Sequence, residues 1–220
     1  AGGFTRSVNT YSLAAMEVIL PHIAGPMMPL QLSHHTWQTI ADNTELMVMF
    51  GGIPLKNAQV DMGGVPSHSA PEGLRACAKA GVEFINIGPV RNDAADFLNA
   101  QWLHPRPSTD VAMMLGLAHT LVSEGLHSPD FMAKYCVGFE RFLPYLMGQT
   151  DGQVKDADWA AGIVALPADD IRALARRMAA KRTLINMSWS LQRGEHGEQP
   201  VWMLIPLAAI LGQIGLPGGG

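Results

Sequence analysis

Three short apolar runs, each cut off by turn-forming residues, narrow what this chain can fold into more than any other feature. ELMVMFGGIP (45–54) stops at Gly-Gly and Pro, VEFINIGPVR (82–91) stops at Gly-Pro, and TLINMSW (183–189) runs into a polar stretch. Each is too short for a buried helix and lacks the strict alternation of a half-solvated strand. Each therefore predicts a strand covered on both faces. Helix frames fill the intervals. APEGLRACAKAG (70–81) opens near Pro71 and closes at Gly81, and STDVAMMLGLAHTLVSEG (108–125) runs from a cap-type cluster to Gly125. SPDFMAKYC (128–136), FERFLPYLMG (139–148), DADWAAGIVAL (156–166) and PADDIRALARRMAAK (167–181) follow, and GEQPVWMLIPLAAILGQIG (197–215) is the last. Pro144 and Pro206 should end or kink the helices that hold them. Strand, helix, strand, helices, strand, helix predicts an α/β chain with a Rossmann-like parallel sheet flanked by helices. We read residues 1–220 as one such domain, with 1–40 leading in from a preceding one.

Hydrophobic residues at 48% against charged residues at 15% place the chain among globular proteins rather than disordered ones. A formal net charge of -4 argues against a nucleic-acid partner. Two cysteines, Cys77 and Cys136, make no disulfide framework and show no metal-ligand spacing, so both read as ordinary buried thiols. The most apolar region, 200–216, holds Pro200, Pro206, Gln213 and two glycines, and so reads as a core helix rather than a membrane span. The opening AGGFTRSVNTYS lacks a signal-peptide pattern, and both ends read as cut from something longer. His119 lies on an apolar helix and is expected in the core with a hydrogen-bonded partner. No GxGxxG or GxxxxGKS phosphate loop occurs.

In parallel sheets, ligands bind outside the carboxyl ends of the strands. Three strand ends each carry a cation: Lys56 in GGIPLKN (51–57), Arg91 in IGPVRN (87–92) and Arg193 in SWSLQR (188–193). A helix opens nearby at Ser108-Thr109-Asp110. Taken singly, each is more readily a solvated surface residue, and Asp110 a helix cap. Taken together they suit an anionic, nucleotide-like ligand. Lys56 would act as a point charge on phosphate, and Arg91 or Arg193 as a two-pronged donor. Trp189 offers a flat face or an indole donor, and Asp110 can accept from the adjacent amino and ring N–H groups of a guanine. The connection NMSWSLQRGEHGEQ (186–199) is loaded with such groups, including Ser190, Gln192, Glu195, His196 and Glu198.

Several longer stretches carry a resemblance. TYSLAAMEVILPHIAG (10–25), DNTELMVMFGGIPLKNAQ (42–59), INIGPVRNDAADF (85–97), PRPSTDVAMMLGLAHTLV (105–122), GFERFLPYLMGQTDG (138–152) and SWSLQRGEHGEQPVWMLIPLAAILGQIGLPGGG (188–220) resemble the molybdopterin oxidoreductases of the dimethyl sulfoxide reductase family. The nearest branch is that of the dimethyl sulfoxide, trimethylamine-N-oxide and biotin sulfoxide reductases. The resemblance implies a piece of a larger multidomain molybdoenzyme whose metal is held by two molybdopterin guanine dinucleotides. It implies reduction of a small S-oxide or N-oxide by oxygen-atom transfer. It further implies that the serine of a Tyr-Ser motif ligates the metal, here Tyr11-Ser12. Without the resemblance, Ser12 would read as the cap of a helix starting at Leu13.

By the same resemblance, Lys56 and Asn57 follow the first strand as cofactor contacts. Ile87 and Gly88 meet the nucleoside after the second strand. Ser108, Thr109 and Asp110 recognise guanine, and Trp189, Ser190 and Arg193 bind the cofactor along the polar connection. Three positions depart from the pattern: Gly88 stands where relatives usually carry aspartate, Thr10 where they often have aspartate, and Ser188 where glycine is common. A relative using molybdenum or tungsten on another substrate and a cofactor-free binding module are the competing expectations. An electron-donor protein or a quinol-linked cytochrome is an expected partner, nucleic acid and direct membrane insertion are not, and periplasm and cytoplasm both suit a bacterial enzyme of this branch. The family's substrate-facing Tyr and Trp precede residue 1, so the 220-residue chain alone is expected to be inactive.

Overall fold

The computed structural model describes residues 2–3, 12–27, 30, 34–60 and 67–220. Its centre is an all-parallel sheet of β1 (Leu46–Phe50), β2 (Glu83–Ile87), β3 (Gln101–Leu103) and β4 (Thr183–Met187), in the order β3-β2-β1-β4. Three of these strands are the apolar runs read from the sequence. The fourth, β3, is a finding: three residues, QWL, too short to give a periodic signal, added at the sheet edge beside β2.

Around the sheet lie α1 (Ala14–Ile23), α2 (Trp37–Asn43), α3 (Ser69–Ala80), α4 (Asp110–Ser123), α5 (Pro129–Tyr135), α6 (Phe139–Leu146), α7 (Ala157–Val164), α8 (Ala168–Ala180) and α9 (Glu198–Leu211). Strand side chains alternate between the two faces. Leu46, Val48, Phe50, Ile85, Ile87, Leu103 and Ile185 meet α4, α7, α8 and α9 on one face. Met47, Met49 and Phe84 meet Ile40 of α2 and Leu74 and Cys77 of α3 on the other. Burial on both faces explains why the strands read as unbroken apolar runs.

Helix α4 is buried at every position from Ala112 to Ala118, so it is the pillar of the larger core. A Cβ at Gly116 would lie 2.8 Å from Ala160 Cβ, which sets how closely α4 meets α7. Side chains cap several helices as their types predict: Ser128 accepts from Phe131 N–H at 3.4 Å, and Asp156 accepts from Trp159 N–H at 2.8 Å. Pro144 does not end α6 at the preceding residue, as it stands in the last turn, two residues before Leu146. Pro206 is likewise carried inside α9, which runs on to Leu211. Cys77 is buried, and burial pushes its thiol up from the ordinary value; Cys136 is half-buried. His119 is half-buried, and burial lowers its imidazole pKa. Contrary to expectation, its ring makes no hydrogen bond among the described residues. No helix among them is long and apolar enough to cross a membrane.

The turn from α6 to α7 folds around a buried cation. Lys155 is 3% exposed. Its Nζ donates to Asp151 Oδ2 and to the Gln153 carbonyl, both at 2.6 Å, and lies 4.1 Å from the centre of the Tyr145 ring.

Candidate functional site

The sheet order fixes where a crevice opens. From β1 the chain moves outward to β2 and β3, then returns across the sheet to β4 on β1's other side. The reversal point therefore lies between β1 and β4, and a ligand belongs outside their carboxyl ends. The tips there are laced together by backbone bonds. Gly51 N–H donates to the Ile87 carbonyl at 2.7 Å, Ser188 N–H to the Phe50 carbonyl at 2.7 Å, and Gly88 N–H to the Leu103 carbonyl at 3.1 Å.

The β1 tip turns sharply through Gly51 and Gly52, with φ of 85° and 67°. Those glycines are required twice over: conformation and space both exclude a side chain. A Cβ on Gly51 would stand 2.7 Å from Leu191 Cδ1 and from Ser188 Cβ, and one on Gly52 would stand 2.4 Å from the Asp93 carbonyl oxygen. Close approach thus presses the β1 tip against both the β2 and β4 tips. Lys56 sits in the 3-10 turn Leu55–Asn57 and pairs with Asp93 of the β2 loop at 3.5 Å, its side chain 71% exposed. Asn57 beside it is exposed. Arg91 opens the 3-10 turn Arg91–Asp93 and is exposed. Asn86 holds that loop by donating from Nδ2 to the Val90 and Arg91 carbonyls at 3.3 and 3.1 Å.

Ile87 lies wholly in the core, so any part it plays at the tips passes through its backbone. Gly88 is also buried, and its carbonyl accepts from Trp102 Nε1 at 2.9 Å. A Cβ built on Gly88 meets only the Gly51 backbone, at 3.6 Å for Cα, which is ordinary contact. A side chain could therefore begin at this position without displacing its neighbours.

At the start of α4 the expected cap is built differently. Thr109 is the N-cap residue, but its hydroxyl donates back to the Arg106 carbonyl at 2.6 Å, and Ser108 takes a left-handed φ of 63°. Asp110 is the first helical residue, half-buried, and burial raises its carboxyl pKa above the ordinary range. Its own backbone N–H favours the charged form and only partly offsets that burial. Val111 and Leu115 of α4 line one groove with Gln199 and Met203 of α9, so the two helix starts that follow β3 and β4 are neighbours.

Beyond β4 the chain forms the 3-10 turn Trp189–Gln192. Trp189 is 40% exposed at this tip. Ser188 and Ser190 join their hydroxyls at 3.0 Å. Arg193 is exposed, and its Nε donates to the Ser12 carbonyl at 3.4 Å. Ser12 itself is exposed and precedes the N-cap of α1; that cap is Leu13, which has no side-chain acceptor. Thr10 and Tyr11 lie outside the described residues. No hydrogen bond or ion pair links Lys56, Arg91, Asp110 and Arg193 to one another among the described residues. No group of three His, Cys, Asp or Glu side chains among those residues is arranged to hold a metal ion.

A family model described as molybdopterin oxidoreductase matches residues 7–220. The chain belongs to the molybdopterin oxidoreductase family. Over its whole length this molybdopterin oxidoreductase chain is 47% identical to the dimethyl sulfoxide/trimethylamine N-oxide reductase of Rhodobacter capsulatus, covering 26% of that protein. It is 44% identical to the biotin sulfoxide reductase of Cereibacter sphaeroides, covering 29% of it. Over 98% of its length it is 46% identical to trimethylamine-N-oxide reductase 1 of Escherichia coli, covering 26%. The chain thus spans about a quarter of the length of the curated relatives it matches. Among solved structures, acetylene hydratase from Pelobacter acetylenicus aligns with a TM-score of 0.63 and 24% identity over 80% of this chain and 22% of the other, a likeness of fold.

The residues present fit the large anionic group that the family name implies. Cations stand at three adjoining strand tips, a half-buried carboxylate stands at the start of α4, and the Gln192 carboxamide is buried with no partner for Nε2. Sequence reasoning passed over the residues that hold these tips in place. Asp93, Asn86 and Trp102 act through contacts with the β2 loop that no local pattern announces.

Proposed function

We propose that this domain is part of a molybdenum oxidoreductase that reduces an S-oxide or N-oxide by oxygen-atom transfer. In this reading it supplies Ser12 as metal ligand and part of the site for a molybdopterin guanine dinucleotide. The observation that carries the reading is the contact between Arg193 and the Ser12 carbonyl, which brings the proposed metal ligand to the tip of β4 where the charged connection begins. The N-cap of α1 falls on Leu13 and not on Ser12. The identity to the dimethyl sulfoxide, trimethylamine-N-oxide and biotin sulfoxide reductases supports the choice of substrate class.

When bound, the cofactor supplies the two-electron chemistry of the metal, and the protein holds and tunes it. Ser12 offers a hard oxygen donor. Lys56 and Arg91 face phosphate as point charge and fork, and Lys56 keeps its exposed ammonium on Asp93. Asp110 accepts from the guanine amino and ring N–H groups. Those donors favour its charged form against the burial that opposes it. Trp189 covers a flat face of the ligand, and Ser108, Thr109, Ser190 and Asn57 supply hydroxyl and amide contacts. Gly88 leaves one nucleoside contact to be made by backbone or by water. An electron-donor protein or cytochrome completes the cycle.

The test uses the full-length protein. Metal analysis and acid hydrolysis should find molybdenum and GMP, and finding neither would leave a cofactor-free module. Ser12→Ala should abolish oxide reduction while the protein keeps its molybdenum. Unchanged turnover would remove Ser12 from the metal. The isolated 220-residue chain should show no viologen-linked oxide reduction.

A further inference from the structure

Gln192 makes a contact that local sequence does not suggest. The residue is 5% exposed. Its Oε1 accepts from the backbone N–H of Met16 at 2.9 Å, across 176 residues of chain. Met16 lies in the first turn of α1, where helix N–H groups have no partner inside the helix. The N-cap residue, Leu13, cannot supply one. Gln192 does from outside what a Ser or Asp cap does locally. One residue on, Arg193 donates to the Ser12 carbonyl at 3.4 Å. Two successive residues of the β4 connection therefore grip the segment 12–16 by its backbone.

The grip is rigid at its own end. A Cβ on Gly197 would stand 1.9 Å from the Gln192 carbonyl oxygen, so the start of α9 presses directly on the Gln192 backbone. Leu191 fills the space beside Gly51 at the β1 tip. The turn is wedged between the first strand and the last helix. The amide end of Gln192 is buried, and Nε2 has no partner. That donor sits in the turn that also carries Trp189, Ser190 and Arg193.

We propose that Gln192 is a positioning residue that ties the placement of Ser12 to occupancy of the cofactor site. Its carbonyl oxygen fixes the first turn of α1, and its free amide donates to an acceptor atom of the bound dinucleotide. The proposal rests on the reading of Ser12 as metal ligand. The geometry assigns Gln192 no contact with substrate.

The experiment compares Gln192→Leu, Gln192→Glu and Ser12→Ala in the full-length holoenzyme by molybdenum and GMP content, by the Mo(V) electron paramagnetic resonance spectrum and by kcat and KM. Amide hydrogen exchange of the 13–17 segment is followed on cofactor-free protein. Gln192→Leu should shift the Mo(V) signal toward that of Ser12→Ala, lower kcat on the order of tenfold with a smaller change in KM, and speed exchange at Met16. Gln192→Glu keeps the acceptor for Met16 N–H, so it should return exchange and signal toward the parent's while its GMP content stays low for want of the donor. A parent-like signal and parent-like exchange in Gln192→Leu overturn the proposal, provided Ser12→Ala alters the signal. A Ser12→Ala signal identical to the parent's overturns the serine ligand itself, whatever Gln192 does. If Gln192→Leu yields no folded protein, Gln192→Glu decides: a signal as altered as that of Ser12→Ala overturns the proposal, and a parent-like one supports it.

Discussion

Two connections in this domain are equally rich in polar and charged residues, and they use them in opposite ways. In the turn from α6 to α7, Lys155 is buried with its ammonium spent on Asp151, on the Gln153 carbonyl and on the Tyr145 ring. In the connection after β4, Arg193 is exposed with only the Ser12 carbonyl as side-chain partner among the described residues, Trp189 is open to solvent, and Gln192 Nε2 is buried without a partner. A buried charge with partners on every side belongs to the fold. A buried donor without a partner and a flat face open to solvent are not used up by the fold. The contrast separates polarity used up within the fold from polarity the fold leaves over, where composition alone cannot.

The contrast can be broken by mutation. Lys155→Met should give the largest loss of stability, lowering the melting temperature on the order of 5 °C by circular dichroism. Its pH dependence has a fixed sign. The hydrogen bond from Lys155 holds the Asp151 carboxyl below its ordinary range, so this contribution is present at neutral pH and is lost as acid protonates Asp151. The difference between parent and variant should shrink below about pH 4. Asp110→Asn should do the reverse. Burial raises the Asp110 carboxyl, so its charge opposes folding at neutral pH, and that penalty fades in acid where the unfolded chain is protonated too. The variant should melt slightly higher at pH 7, with the gain vanishing below about pH 4, while guanine retention falls. A variant that melts lower at pH 7 would make Asp110 a structural residue. Trp189→Ala should move stability by no more than about 0.5 kcal/mol, as an exposed side chain does. It should lower GMP content in the full-length protein, and unchanged content would place the indole off the ligand. The smallest effect is expected of Gly88→Asp. A Cβ there meets only ordinary contact, so the melting temperature should change little and GMP content should not fall.

The fold was legible where burial is two-sided. Continuous apolar runs such as LMVMF and EFINI can satisfy themselves only between two layers of helix, and both formed strands at the expected places. β3 was not legible, because three residues leave no period and their pairing depends on β2 being there first. Pro144 is expected to end or kink its helix and Pro206 to kink the last one, and both stand inside their helices. Pro144 and Pro206 remove a hydrogen bond each, yet α6 and α9 carry them because apolar packing outweighs one lost bond. At the strand tips the cations were legible from their spacing after each run. What holds them was not: the Lys56–Asp93 pair and the Gln192–Met16 bond join residues far apart in sequence, and pattern reading sees only neighbours. Ile87 illustrates the limit from the other side, since position at a strand end says nothing of which way its side chain points.

The placement of β4 beside β1 carries a cost in time. Glu45, at the mouth of β1, receives the Arg182 N–H across 137 residues. As the ribosome delivers this domain, the first strand must therefore wait with one raw edge while several helices emerge behind it. Such an edge invites pairing with the wrong neighbour until β4 arrives to close it. The crevice between the two strands exists only once β4 has docked beside β1.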